Sequence, residues 1–141
     1  MQIVPAMWMT AVVGRSSSEV DEALESEVIK VGALNASDEF FAKHGAQHPL
    51  GVGFTGAQDL LPQDIDEQEA LSYIKKIPTD VVRDAILAGT PDEVIERVAE
   101  WPDCGVRYLV LANIGPMQRS LRQGVASVVS FTQVVRRLKK L

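Results

Sequence analysis

Gly89-Thr90-Pro91-Asp92-Glu93-Val94-Ile95-Glu96-Arg97-Val98-Ala99-Glu100, and then Cys104-Gly105-Val106-Arg107-Tyr108-Leu109-Val110-Leu111-Ala112-Asn113, is the stretch whose reading decides the fold. Thr90 is a favourable N-cap, Pro91 suits the first helical position, and Glu93 stands where a capping box closes onto the Thr90 amide. Val94, Ile95 and Val98 then share one helical face. Trp101-Pro102 ends that helix, because an interior proline costs about 3 kcal/mol. Gly105 supplies a left-handed stop. Val106 to Ala112 reads as a strand of the kind buried on both faces of a parallel sheet. Helix, glycine and buried strand make one step of an α/β protein.

The rest of the chain is placed around that step. Ile3 to Val13 is apolar, and Pro5 is tolerated at a strand start, so Ala6 to Val13 reads as a second buried strand. Ser16 and Glu19 have capping-box spacing ahead of a helix whose apolar face is Val20, Ala23, Leu24 and Val28. Val28 to Leu34 extends this helix or forms a short strand; Gly32 leaves both open. Ser37 to Gly45 reads as a short capped helix, and 47–56 as a long glycine-rich loop of the functional or mobile kind. After Leu60-Leu61-Pro62 and the polar run Gln63 to Glu69, helical spacing resumes at Ala70, Tyr73 and Ile74. Another helix starts at Thr79-Asp80 and runs through Val81, Val82, Ala85, Ile86 and Leu87 to Gly89. Ser120 to Gln123 begins the last helix, with Val125, Val128, Val129, Phe131, Val134, Val135 and Leu138 as its buried stripe. The expected units are a strand–helix unit over 1–35, a loop and helical insertion over 36–78, and a helix–strand–helix unit over 79–141. That is two strands only, and two strands do not make an independent sheet.

Composition excludes several classes of function. With 141 residues and 46% hydrophobic content the chain is sized for one domain. A net charge of −5 argues against a general nucleic-acid binder. No apolar run approaches a membrane span, the start lacks a signal peptide's charged region, and the single cysteine, Cys104, fits a reducing, cytoplasmic setting. Glu19, Asp21, Glu22, Glu25 and Glu27 read as a solvated helix face rather than a metal site, since no His or Cys is interleaved. Arg136, Arg137, Lys139 and Lys140 suit the last turns of a helix, where the dipole favours cations. His44 and His48 have the spacing of paired helical metal ligands, but Gly45 and Pro49 interrupt a helix there and no third ligand is evident, so no metal is expected. Gly51, Gly53 and Gly56 lack the lysine and helix start of a phosphate loop.

Several segments also carry a family resemblance. Gly89-Thr90-Pro91-Asp92-Glu93-Val94 followed by Gly105-Val106 resembles the C-terminal units of luciferase-like flavin and deazaflavin oxidoreductases. His48-Pro49-Leu50-Gly51, Phe54-Thr55-Gly56-Ala57-Gln58-Asp59-Leu60 and Asp66-Glu67-Gln68-Glu69-Ala70-Leu71-Ser72-Tyr73 resemble the mycobacterial coenzyme F420-dependent branch, of the phthiodiolone dimycocerosate ketoreductase type. The resemblance runs from Ile3 onward. It implies a TIM (β/α)8 barrel, which needs about 250 residues. This chain would then be a C-terminal fragment holding about the last two strand–helix units.

The implied activity is hydride transfer between reduced F420, with FMN as the alternative, and a lipid-like ketone. No catalytic residue carries over, because the matching positions are absent, and the isolated chain is expected to be inactive. Barrel sites form at the C-terminal ends of strands, which makes Trp8, Met9, Thr10, Asn113 and Ile114 the pocket-rim candidates. Trp8 suits a flat ring or a buried core position, and Asn113 a pocket or a strand-end turn. Two other readings stand beside the family one. A non-enzymatic α/β module would self-associate through its exposed strand edges. An independent doubly wound domain is weakened by too few strands.

Overall fold

The computed structural model describes residue 4, residues 6–60 and residues 65–140. The expectations for Ile3, Pro5, Leu61, Pro62 and Gln63 lie outside the described residues. The sheet has three parallel strands, β1 (Ala6–Val13), β2 (Leu87–Gly89) and β3 (Tyr108–Asn113), in the order β2-β1-β3. The helices are α1 (Ser17–Leu24), α2 (Glu27–Lys30), α3 (Asp38–Lys43), α4 (Glu67–Ile74), α5 (Thr79–Ala85), α6 (Pro91–Ala99) and α7 (Leu121–Leu138).

The deciding stretch folds largely as its residues dictate. Thr90 Oγ1 accepts from the Glu93 amide while the Glu93 carboxylate accepts from the Thr90 amide at 2.7 Å, closing the capping box. The helix ends before Trp101, as the proline requires. Gly105 has φ +91°, but it closes a run of turns after the helix rather than the helix itself. The following strand is not buried on both faces: Leu109 and Leu111 pack on the side of α6 and α7, while Tyr108 and Val110 on the other face are exposed.

The expectation of two strands fails at Leu87–Gly89. The fifth helix stops at Ala85, and Leu87 to Gly89 pairs in parallel with Ala11 to Val13. Ile86 is already extended, at φ −122° and ψ 163°. Three residues are too few to show a strand period, so the run of apolar residues reads as helix. Between α2 and α3 the chain forms a 3-10 turn (Val31–Asn35), which settles the ambiguity around Gly32 as helical. Val28 belongs to α2 and is exposed, so it is not part of the buried face of α1.

Side chains alternate across a strand, and the two faces of β1 pack into different clusters. Val12 packs with Val20, Leu24, Ile29, Leu34, Phe41, Val81 and Ile86, on the side of α1 to α5. Ala11 and Val13 pack with Val94, Val98 and Val134, on the side of α6 and α7. Helices therefore cover both faces of the sheet. Consecutive barrel strands would place β2 in the middle and every helix on one face. Here β1 is central, because three-residue β2 borders only its last three positions while six-residue β3 takes Ala6 to Ala11. The sheet of this chain is a small, open parallel layer with helices packed on both faces.

The last helix differs most from its expected stripe. Gly124, Ser127, Ser130 and Val134 are buried, the first two against the turn at 115–117, whereas Val125, Val128 and Val129 are exposed. Small residues let α7 approach closely: a Cβ on Gly124 would lie 3.1 Å from the Pro116 carbonyl oxygen. Arg137 bonds Asp92 at 2.5 Å, tying the end of α7 to the start of α6.

Candidate functional site

In parallel α/β sheets ligands bind at the C-terminal ends of the strands, and here those ends converge. The Gly14 amide donates to the Gly89 carbonyl at 3.2 Å, and the Ile114 amide to the Ala11 carbonyl at 3.0 Å. The loops leaving β1, β2 and β3 each run into a helix with a side-chain N-cap: Ser16 for α1, Thr90 for α6 and Ser120 for α7. Glu19 does not return to the Ser16 amide. Its carboxylate accepts from the Arg15 amide and guanidinium, both at 2.9 Å. Those bonds hold the Glu19 carboxyl below its ordinary pKa.

Between these ends lies a cavity of about 10 Å3 lined by Val12, Val13, Gly14, Glu19, Ala23, Gln118, Gln123 and Ser127. It has room for about one water molecule. Ser127 Oγ is buried against it and has no hydrogen-bond partner in the chain. The site residues missed from sequence are thus Gln118, Gln123 and Ser127. The small-residue spacing Gly124, Ser127, Ser130 was the available signal, since it marks the packed face of α7 more truly than the valines do.

The five rim candidates are not gathered around this cavity. Trp8 lies five residues before the end of β1, about 16 Å along the strand, and is 72% exposed. That corrects the expectation of a core aromatic. Thr10 pairs in register with Ala112 in mid-sheet. Met9 packs into the α6–α7 layer and Ile114 into the opposite one. Asn113 Oδ1 accepts from the Gly115 amide at 3.1 Å, which is a strand-end turn. Gln118 then donates to the Gly115 carbonyl at 2.8 Å.

The two histidines have separate structural partners. His44 Nε2 lies 2.8 Å from Asp84 Oδ2, and this hydrogen bond, with a smaller contribution from the Phe40 carbonyl, raises its pKa. His48 is buried, stacked on Phe54 at 4.3 Å between centroids and edge-on to Phe41 at 4.5 Å. Its Nδ1 accepts from the Leu50 amide at 3.1 Å, so the ring is neutral and Nε2 donates to the Leu34 carbonyl at 3.3 Å. Burial lowers its pKa. The 47–56 loop is therefore pinned by its own core residues; the Asp38 amide also donates to the Phe54 carbonyl at 2.9 Å. The acidic face is engaged in ion pairs: Asp21 with Arg83, Glu25 with Lys30 and Glu27 with Arg119. Among the described residues no group of three metal-ligating side chains is assembled. No helix among them is long and apolar enough to cross a membrane.

A second concavity, about 600 Å3, opens elsewhere. It lies at the N-terminal end of β3, lined by Val98, Trp101, Tyr108, Val110, Phe131 and Leu138, with Arg107 and Lys139 as its charged members.

A deazaflavin or flavin ring system needs a pocket of several hundred Å3. The convergent strand ends offer about 10 Å3, and the larger groove is apolar and at the opposite end of the strand. The residues present do not by themselves fit such a cofactor.

The fold and strand ends define the class as a parallel α/β unit with helices on both faces of its sheet. No protein-family model matches the chain, and no solved structure matches it. Curated relatives do, over all 141 residues. The phthiodiolone/phenolphthiodiolone dimycocerosates ketoreductase of Mycobacterium sp. (strain JLS) is 54% identical, that of Mycobacterium tuberculosis (strain H37Rv) 46%, and that of Mycobacterium kansasii 41%. The chain spans 37–38% of the length of these relatives. Its likeness to these relatives runs over its whole length and corresponds to a C-terminal portion of them.

Proposed function

We propose that this chain is the C-terminal scaffold of an oxidoreductase that reduces a lipid-like ketone, and that the chain alone is inactive. Identity of 54% over all 141 residues to 37% of a named ketoreductase carries the reading. The cavity of about 10 Å3 between the described strand ends, far smaller than a ring system, supports the inactivity. The reductant of the whole protein, on the family resemblance, is reduced coenzyme F420, with FMN as the alternative. Its fold on the same resemblance is a (β/α)8 barrel, in which β2 would have to lie between β1 and β3. The three strands are parallel with their C-terminal ends together, which such a barrel also needs.

The test compares two proteins. One is the chain alone; the other is the JLS relative with its matching region replaced by this chain. Oxidation of reduced F420 by a long-chain ketone, followed by absorbance, is expected only in the second. Turnover by the chain alone, or none in a folded chimera that retains bound F420, overturns the reading. A non-enzymatic interaction module is the second reading, favoured by one observation: the exposed apolar groove along β3.

A further inference from the structure

The groove at the N-terminal end of β3 is one part of a larger uncovered surface. In-register neighbours on parallel strands face the same side, so Trp8 stands beside Val110, and Ala6 beside Tyr108. All four are exposed. The far edge of β3 has no strand beside it among the described residues, and its backbone groups are open to pairing. On α7, Leu121, Val128 and Val135 are spaced by seven and so lie on one line of the helix. Val135 lines the groove, while Leu121 and Val128 extend the apolar line beyond it, exposed at 83% and 43%. Tyr108 and Val110 also line the groove, so the exposed sheet face and the groove meet at the β3 edge, with the α7 line on the groove's other side.

Two observations decide what covers it. The groove, the exposed sheet face and Val128 lie away from the strand C-termini, where a substrate would bind, so a polypeptide suits them better than a ligand. A second copy of this chain is disfavoured by charge. The only charged groove residues are Arg107 and Lys139, and the nearby end of α7 carries Arg136 and Lys140, Arg137 being paired with Asp92. A twofold axis would set these cations against themselves. The relatives, meanwhile, contain about 240 residues beyond the matched region. We propose that this surface is the docking face for that remaining ketoreductase polypeptide, which adds a strand beside β3 and packs apolar side chains against Val110 and Val128. This rests on the family reading above and specifies which surface of the chain the reading uses.

The test places single cysteines at positions 110 and 128, as Val110→Cys and Val128→Cys, in a Cys104→Ser background, since Cys104 is itself exposed. Maleimide labelling is measured in the chain alone and in the chimera described above. Both sites should label freely in the chain and be slowed by at least about tenfold in the chimera. A second measurement does not require the chimera to fold. The tagged wild-type chain is co-expressed with the remaining segment of the JLS relative, and its mass is read by light scattering. A 1:1 complex that is lost in Val110→Lys/Val128→Glu supports the docking face. Unchanged labelling in a cooperatively melting chimera overturns it. So does a homodimer of the chain that protects both cysteines, or the lack of any complex on co-expression. Protection in a chimera without ketone reduction keeps the docking face and counts against the functional reading alone.

Discussion

His48 gives the sharpest test of how the middle of the chain is held. The proposed perturbation is His48→Phe, which keeps a ring between Phe41 and Phe54 but removes titration and both polar contacts. In the wild type the neutral ring satisfies the Leu50 amide and the Leu34 carbonyl. Losing a buried partner costs about 1–3 kcal/mol per group left unsatisfied, so at pH 7.5 the variant should lose at least about 1 kcal/mol. The pH dependence separates the two proteins further. The folded pKa of His48 is lowered by burial, and the unfolded value is about 6.5. Below that, the unfolded state binds a proton that the folded state does not. Stability therefore falls as pH drops, by about 1.4 kcal/mol per pH unit until the folded pKa is reached. His44 has the opposite sign. Its pKa is raised by Asp84, so its contribution is complete below about pH 6.5 and fades as pH rises through the folded value. The carboxylates with lowered pKa values, Glu19, Glu25 and Asp59, are held by hydrogen bonds and lose their contributions only below about pH 4.5. Urea melts from pH 8 to 4.5 should thus show a shallow rise towards pH 6.5, then a fall that His48→Phe lacks. A flat wild-type profile below pH 6.5 refutes the neutral buried ring. So does a zinc-dependent rise in the melting midpoint that His48→Phe removes.

Three further outcomes are expected. Gly115→Ala should destabilise by about 1–3 kcal/mol, because its Cβ would lie 1.8 Å from Ser127 Oγ; urea midpoints should show partial recovery in Gly115→Ala/Ser127→Ala, which removes that oxygen. Thr90→Ala should cost about 1 kcal/mol by opening the capping box of α6, and Glu93→Gln should cost less, since an amide oxygen can still accept from the Thr90 amide. Trp8→Cys with Val110→Cys, in a Cys104→Ser background, should form a disulfide on mild oxidation of the chain alone, because the two are register partners on adjacent strands. In a folded chimera the same pair should fail to close if β2 separates β1 from β3, since two strand spacings of about 4.8 Å exceed disulfide reach; a gel-shift assay reads both cases.

The parts of the fold legible in the sequence were those fixed by local chemistry. Thr90, Pro91 and Glu93 dictated the start of α6, Pro102 its end, and Ser37 the cap of α3. What was not legible depended on partners distant in sequence. Leu87 to Gly89 is a strand only because Ala11 to Val13 lies beside it. Valines on α7 looked like a core stripe, yet the buried positions include Gly124, Ser127 and Ser130, whose value is closeness rather than hydrophobicity. The rim candidates were chosen by proximity to apolar strand segments. Trp8 and Met9 sit on opposite faces of β1, however, and Asn113 spends its side chain on the Gly115 turn. No spacing rule distinguishes those fates before the strand order is known.

The strand order links the fold, the missing pocket and the apolar surface. β1 has the longest pairing edges, and in this chain it takes both other strands as neighbours. That choice buries Ala11, Val12 and Val13 completely at the C-terminal end, where helices crowd both faces and leave only a water-sized space. The same choice leaves the N-terminal end thin: Trp8, Tyr108 and Val110 have no helix over them. Close packing at one end and exposure at the other follow from a core large enough to fold but too small to cover six-residue β3. A polypeptide that covered the open end would also supply the walls from which a cofactor pocket has to be built. The uncovered surface and the water-sized space at the other end are therefore two consequences of one strand order, in which β1 is central and β3 lies at the edge.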